Sequence, residues 1–224
     1  MVQDDSSERR LYYSPLTAPW LETMASITIS PKDVSELRQR TGAGMMDCKR
    51  ALEEAGGDMD KAAEILRKKG IAKAEKRAGR TASQGIVLSY IHHNHQVGVL
   101  VELNSETDFV ARNEAFRGLA REIALHIASA DPIGVSASDI PQELLDRERR
   151  IAEEQVAAEG KPENVRAKIV EGKLKKFVAE RTLLEQPYVK DDSKTVGDLV
   201  KEVSGKLGEV VTVRRFARFQ VGAA

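Results

Sequence analysis

The run Glu102-Leu103-Asn104-Ser105-Glu106-Thr107-Asp108-Phe109-Val110-Ala111-Arg112 constrains the fold more tightly than any other stretch of the chain. Just before and into it, Val97-Gly98-Val99-Leu100-Val101-Glu102-Leu103 is short and rich in β-branched residues, as a strand should be. After it, residues 113–130 repeat their apolar side chains at helical spacing. Thr107 to Val110 therefore falls at a strand-to-helix junction, where a large aromatic beside a carboxylate reads as a surface wedge.

The remaining periodicities sort into an α+β architecture. Ser30-Pro31-Lys32-Asp33 is a helix start, with a capping hydroxyl, proline at the first helical position and a carboxylate in the first turn. Gly42 and Gly44 stop that helix. Met45, Cys48, Leu52 and Ala55 mark one face of a second helix ended by Gly56-Gly57. Asp58 caps a third, whose Met59, Ala62, Ala63 and Leu66 repeat at helical spacing up to Gly70. Residues 25–70 thus form a compact three-helix module of about 40 residues, marginal in stability by itself. Lys73, Lys76, Arg77 and Arg80 against Glu75 make 71–84 a basic linker.

Residues 86–91 and 97–103 form an antiparallel hairpin across His92-His93-Asn94-His95-Gln96. Asn113 caps a helix with Phe116, Leu119, Ala120, Ile123 and Ile127 on its buried side, ended by Pro132 and Gly134. Within 141–182, two helical patterns split at Gly160-Lys161-Pro162 predict a helical hairpin. Pro187-Tyr188-Val189 is a short extended piece, and Thr195 opens a further helix to Leu207. Residues 210–221 are the last strand, with Val211, Val213, Phe216 and Phe219 on its apolar side and one slip in the even spacing that fits a bulge. That strand must return to the first hairpin, so the core at 85–222 is a three-stranded antiparallel sheet packed with helices.

Composition bounds the function. The 224 residues, 41% apolar and 31% charged, fit one medium domain plus a small one. Lys+Arg and Asp+Glu both number 35, so no global basic field draws in phosphate backbones. Useful nucleic-acid affinity takes about 6 to 10 phosphate contacts, more than the linker offers. A protein partner is expected, and no direct nucleic-acid contact. A single cysteine, Cys48, excludes an internal disulfide framework, in keeping with a reducing cytosol, and its apolar helix position points to packing. No stretch approaches the roughly 18 apolar residues of a membrane helix, so no membrane partner is expected and the location is read as cytoplasmic. Residues 1–24, with Asp4, Asp5, Glu8, Pro15 and Pro19, read as a disordered leader or a mis-assigned start with Met24 as initiator.

The motifs of bond-making chemistry are missing: no phosphate-cradling Gly-x-x-x-x-Gly-Lys-Ser/Thr, no Gly-x-Gly-x-x-Gly after a strand, no Gly-x-Ser-x-Gly and no His-Glu-x-x-His. The carboxylates lie on amphipathic helix faces, where they are ordinarily solvated. An enzyme is not expected, nor a cofactor or metal; the three turn histidines lack flanking carboxylates or thiols. His126, beside the Leu119/Ile123 stripe, reads on its own as a satisfied, semi-buried histidine.

Two segments carry a likeness that periodicity does not supply. Leu37-Arg38-Gln39-Arg40-Thr41-Gly42-Ala43-Gly44-Met45-Met46-Asp47-Cys48-Lys49-Arg50-Ala51-Leu52 resembles the N-terminal motif of the elongation factor Ts family, and the 102–112 run resembles that family's second motif. The similarity continues through Gly172-Lys173-Leu174-Lys175-Lys176-Phe177 and Ser193-Lys194-Thr195-Val196-Gly197, covering about 25–222. The resemblance implies a guanine-nucleotide exchange factor for the translational GTPase elongation factor Tu, which binds the GDP form, expels GDP and leaves when GTP returns. It also implies that the three-helix module is similar to a ubiquitin-associated domain and grips a helix of the GTPase, with Arg38, Met45 and Met46 at the matching positions. For Met45, core packing and partner contact stand equal; Met46, off the apolar stripe, is the better contact residue.

Thr107, Asp108, Phe109 and Val110 match the family segment that intrudes near the nucleotide's Mg²⁺ site. On the residues alone Phe109 would be a helix-capping core side chain; with the resemblance, contact takes precedence. Asp108 would carry negative charge toward the ion or serve locally as a cap acceptor. His126 matches a histidine near the partner's nucleotide loop, and 141–182 corresponds to a protruding coiled-coil element, with core packing as the open alternative. The two core halves of longer members are fused into one here, as in the family's short forms, which implies a symmetric homodimer supplying both surfaces. The alternative function is a passive adaptor or chaperone that holds a protein helix through the three-helix module and leaves nucleotide affinity untouched.

Overall fold

The computed structural model describes residues 29–160 and 162–223; the expected leader at 1–24 lies outside them. Along the chain run α1 (Pro31–Thr41), α2 (Met45–Glu54), α3 (Met59–Glu75), β1 (Gln84–Ile91), β2 (Val97–Ser105), α4 (Asp108–Ala111) and α5 (Glu114–Ala130). They are followed by α6 (Gln142–Ala158), α7 (Glu163–Arg181), β3 (Pro187–Tyr188), β4 (Asp191–Thr195), α8 (Val196–Leu207) and β5 (Val211–Gln220).

Helix starts follow their caps. Ser30 Oγ accepts the Asp33 N–H at 3.1 Å, and the Asp58 carboxylate accepts the Asp60 and Lys61 N–H groups at 3.0 Å each. Gly42, at φ 70, closes α1 in the left-handed conformation that a side chain would resist. The three helices enclose Leu37, Cys48, Ala51, Leu52 and Ala62, all fully buried.

Gly70 does not end α3. The helix continues to Glu75, into residues expected as linker, because its second half has a partner in α8. Arg67 Nε meets Glu202 Oε1 at 3.0 Å and Lys201 Nζ meets Glu75 Oε1 at 2.9 Å across that contact. Tertiary packing outweighs the roughly 1 kcal/mol that a glycine costs inside a helix.

The sheet has the order β1-β2-β5, antiparallel throughout, so the last strand does return to the hairpin and β2 is central. Val99, Val101, Leu103, Val211 and Val213 line its inner face and pack with Phe116, Ile123 and Ile127 of α5 and with Val196 and Val200 of α8. The bulge falls between Glu102 and Leu103 on β2, opposite Arg215 and Val213, and leaves Arg214 unpaired. One extra residue inverts the facing of everything beyond it. Phe216 therefore packs on the core while Phe219, expected on the same side, is 69% exposed on the outer face.

The chain from 187 to 195 forms a two-stranded ribbon, β3 with β4, where only one extended piece was expected. α6 and α7 pack on each other about Ala152, Val156, Val170 and Leu174, a small core separate from the main one. The fold is mixed helix and sheet, and among the described residues no helix is long and apolar enough to cross a membrane.

Candidate partner-binding surface

The β2–β5 ladder ends at Ser105 and Val211, and the chain turns at once into α4. Thr107 caps that single turn, its hydroxyl accepting the Val110 N–H at 3.5 Å. Val110 packs against the main core and Ala111 is buried, while Asp108 pairs with Arg112 at 2.7 Å in solvent. Successive helical residues point about 100° apart. With Val110 and Ala111 turned inward, Phe109 is thrown outward and is 79% exposed.

The turn is held from a distant part of the chain. Glu209 accepts the Thr107 N–H at 3.0 Å with one carboxylate oxygen and the Thr107 hydroxyl at 2.6 Å with the other. Glu106 accepts the Val210 N–H at 2.8 Å and pairs with Arg80 at 3.4 Å. Buried Ser105 donates its hydroxyl to the Thr107 carbonyl at 2.8 Å. The roles of Glu106 and Glu209 are invisible in the one-dimensional pattern; only the Ser105–Val211 register brings them together.

A second exposed group lies on the three-helix module. Arg38 is on the solvent side of α1, and Met45 and Met46 open α2 at 47% and 64% exposure. Met45 is outside the module's core, which on α2 begins at Cys48, so core packing does not account for it. Beside them Asp47 accepts hydrogen bonds from Lys73 at 3.0 Å and Arg50 at 2.6 Å. Those bonds, led by Lys73 and opposed by burial, hold its carboxyl below the usual range, and the Lys73 bond ties the start of α2 to α3.

His126 is turned inward, away from these exposed groups. It follows Ile123 by three residues, is 1% exposed, and Val189 N–H donates to its Nδ1 at 3.2 Å. With Nδ1 accepting, Nε2 carries the hydrogen and donates to Gln186 Oε1 at 2.9 Å. Burial lowers its pKa, with the Gln186 bond opposing. In the free chain His126 thus has an inward role, fastening the 186–189 segment to α5. Among the described residues no three His, Cys, Asp or Glu side chains converge as a metal site would require; His92 instead bonds the Tyr90 hydroxyl at 3.0 Å.

Comparison with known proteins matches the family described as elongation factor TS over residues 28–223. The elongation factor Ts of Caldanaerobacter subterraneus subsp. tengcongensis is 56% identical over 194 residues, 87% of this chain and 97% of that protein. That of Carboxydothermus hydrogenoformans is also 56% identical over 194 residues, 87% of this chain and 89% of that protein. For Thermosipho melanesiensis the identity is 55% over 194 residues, with 87% and 99% covered. A match across nearly the whole core and module, with more than half of the residues identical, places the chain in the elongation factor Ts family of translation elongation factors.

Proposed function

We propose that this chain is a guanine-nucleotide exchange factor for elongation factor Tu that works by two contacts, Arg38, Met45 and Met46 on the three-helix module and Thr107 to Val110 at the strand-to-helix junction. It is an exchange factor in the cytoplasm and breaks no covalent bond itself. The observation that carries this reading is the exposure of Phe109, 79%, on a turn whose neighbouring side chains are anchored. Burying that ring between elements of the GTPase yields about 1.5 to 3 kcal/mol, worth about one to two decades of GDP affinity. Asp108, next to it and half exposed, brings negative charge toward the ion that faces the diphosphate. Displacing that ion removes the largest positive charge holding GDP, and affinity falls.

Thermodynamic linkage makes the effect mutual: the factor by which the exchange protein weakens GDP binding is the factor by which GDP weakens its own. Calorimetric titration of elongation factor Tu with this chain, with and without GDP, tests the reading. Weaker binding in the presence of GDP supports exchange, and equal affinity in both conditions supports a passive adaptor instead. In the same reading a second copy of the chain covers the outer face of the sheet, where Ile91 and Phe219 flank Gly98 in one row and Val87 and Leu100 are exposed beside them.

A further inference from the structure

We propose that Glu209 is the positioning residue of the Phe109 wedge, an inference that rests on the exchange reading above. Glu209 is half-buried in the connection between Gly208, the left-handed cap of α8 at φ 75, and the start of β5. Both of its carboxylate oxygens are engaged by one residue 102 positions away, the Thr107 N–H at 3.0 Å and the Thr107 hydroxyl at 2.6 Å. Glu106 returns the grip by accepting the Val210 N–H at 2.8 Å. The two carboxylates thus cross-link the end of β2 and the start of β5 in both directions, beyond the last backbone pair, Ser105 with Val211. Ser204, buried on α8, donates its hydroxyl to the Glu209 carbonyl, so the clasp is joined to the helix that also carries α3.

α4 needs such a clasp. A single helical turn of four residues fixes more dihedrals than its hydrogen bonds repay, so it does not hold its own shape. Its only side-chain cap is Thr107, the residue Glu209 holds. Hydrogen bonds to a carboxylate are the stronger kind, and a contact presented rigidly loses little affinity to ordering on binding. Without Glu209 the Thr107 N–H loses its acceptor, and the direction of Phe109 has to be set anew in each encounter.

The test uses Glu209→Ala, Glu209→Gln, Phe109→Ala and the double variant Glu209→Ala/Phe109→Ala in the full chain. In Glu209→Ala, amide hydrogen exchange rises across residues 107–112 while α5 and the sheet keep their protection. The maximal rate of labelled GDP release from elongation factor Tu falls at least about tenfold, since two hydrogen bonds from Thr107 to a charged group are lost. The half-saturating concentration, to which the contact at Arg38, Met45 and Met46 still contributes in full, shifts less than the maximal rate. Glu209→Gln, which keeps the shape and one acceptor, loses about two- to fourfold and serves if the alanine variant does not fold. The double variant is no slower than Phe109→Ala alone, because the clasp acts only through the ring. A wild-type maximal rate in both Glu209 variants beside a slow Phe109→Ala, multiplying defects in the double variant, or unchanged exchange at 107–112 would overturn the proposal. A wild-type rate in Phe109→Ala would instead sink the wedge reading beneath it.

Discussion

Gly205 and Gly70 cross at backbone contact: a Cβ on Gly205 would stand 2.7 Å from the Gly70 carbonyl oxygen and 2.8 Å from its carbonyl carbon. The relation is one-sided, since a Cβ on Gly70 would meet nothing within 4 Å. α8 therefore seats α3 through one residue that has to be small. Through α3 it also sets where the three-helix module stands relative to the core.

Alanine at these two positions should act in opposite directions. Gly70→Ala gains helix propensity without a clash and is expected to raise stability by up to about 1 kcal/mol. Gly205→Ala has the same propensity gain, but the methyl meets backbone that cannot rotate away, and a net loss of about 1 to 3 kcal/mol is expected. Urea midpoints of the two variants measure this; equal shifts would show that the helices do not pack so closely.

His126 predicts a pH dependence of stability. Its folded pKa lies below the ordinary imidazole value of 6.5, with burial the leading cause. Above that value the ring is neutral in both states and the stability is complete. As pH falls through it the unfolded chain takes up a proton that the folded chain refuses, and stability is lost until the folded value is reached. His126→Gln removes this titration, so its urea midpoint should change less than that of the wild type between about pH 7.5 and about pH 5.5. Parallel curves would place the acid sensitivity elsewhere.

The outer sheet face predicts self-association. Phe219 is 69% exposed and shares a row with Ile91 across Gly98, where even a methyl would come within 3.1 Å of the Ile91 Cδ1. Sedimentation of the wild type is expected to show a concentration-dependent dimer. Phe219→Glu, which puts a charge into the apolar face that the second copy would cover, is expected to be monomeric with stability changed by less than about 0.5 kcal/mol. A variant that dimerises like the wild type would locate the interface elsewhere.

Where local chemistry decides structure, the sequence was legible. Ser30, Asp58, Asn113 and Thr195 each cap the helix they were expected to cap, because a side-chain oxygen accepting nearby N–H groups needs no tertiary partner. Gly70 misled because the contact that carries α3 past it lies more than a hundred residues away on α8. The last strand misled for a different reason. Its slip in alternation was visible but not where the extra residue would stand, and a one-residue choice decides whether Arg218 or Phe219 turns inward. Arg218 does, reaching the Ala128 carbonyl at 3.3 Å and Asp131 at 3.1 Å under the end of α5.

The candidate site was legible in the same uneven way. Thr107 to Val110 stands out by residue type, and Phe109 is turned to solvent rather than packed as a helix-capping core side chain. Met46 likewise faces solvent, as its place off the apolar stripe required. His126 lies three residues after Ile123 and one before Ile127, a spacing that already puts it on the buried face of α5. Glu209 carries no local signal at all, because its function exists only through strand register.

Release of fluorescent GDP from elongation factor Tu tests the central claim most directly. The wild-type chain is expected to accelerate release, and Phe109→Ala to lose at least about tenfold of that acceleration, with an unchanged melting curve because the ring is in solvent. Release that is equally slow with and without the wild-type chain, or equally fast with Phe109→Ala, would contradict the account.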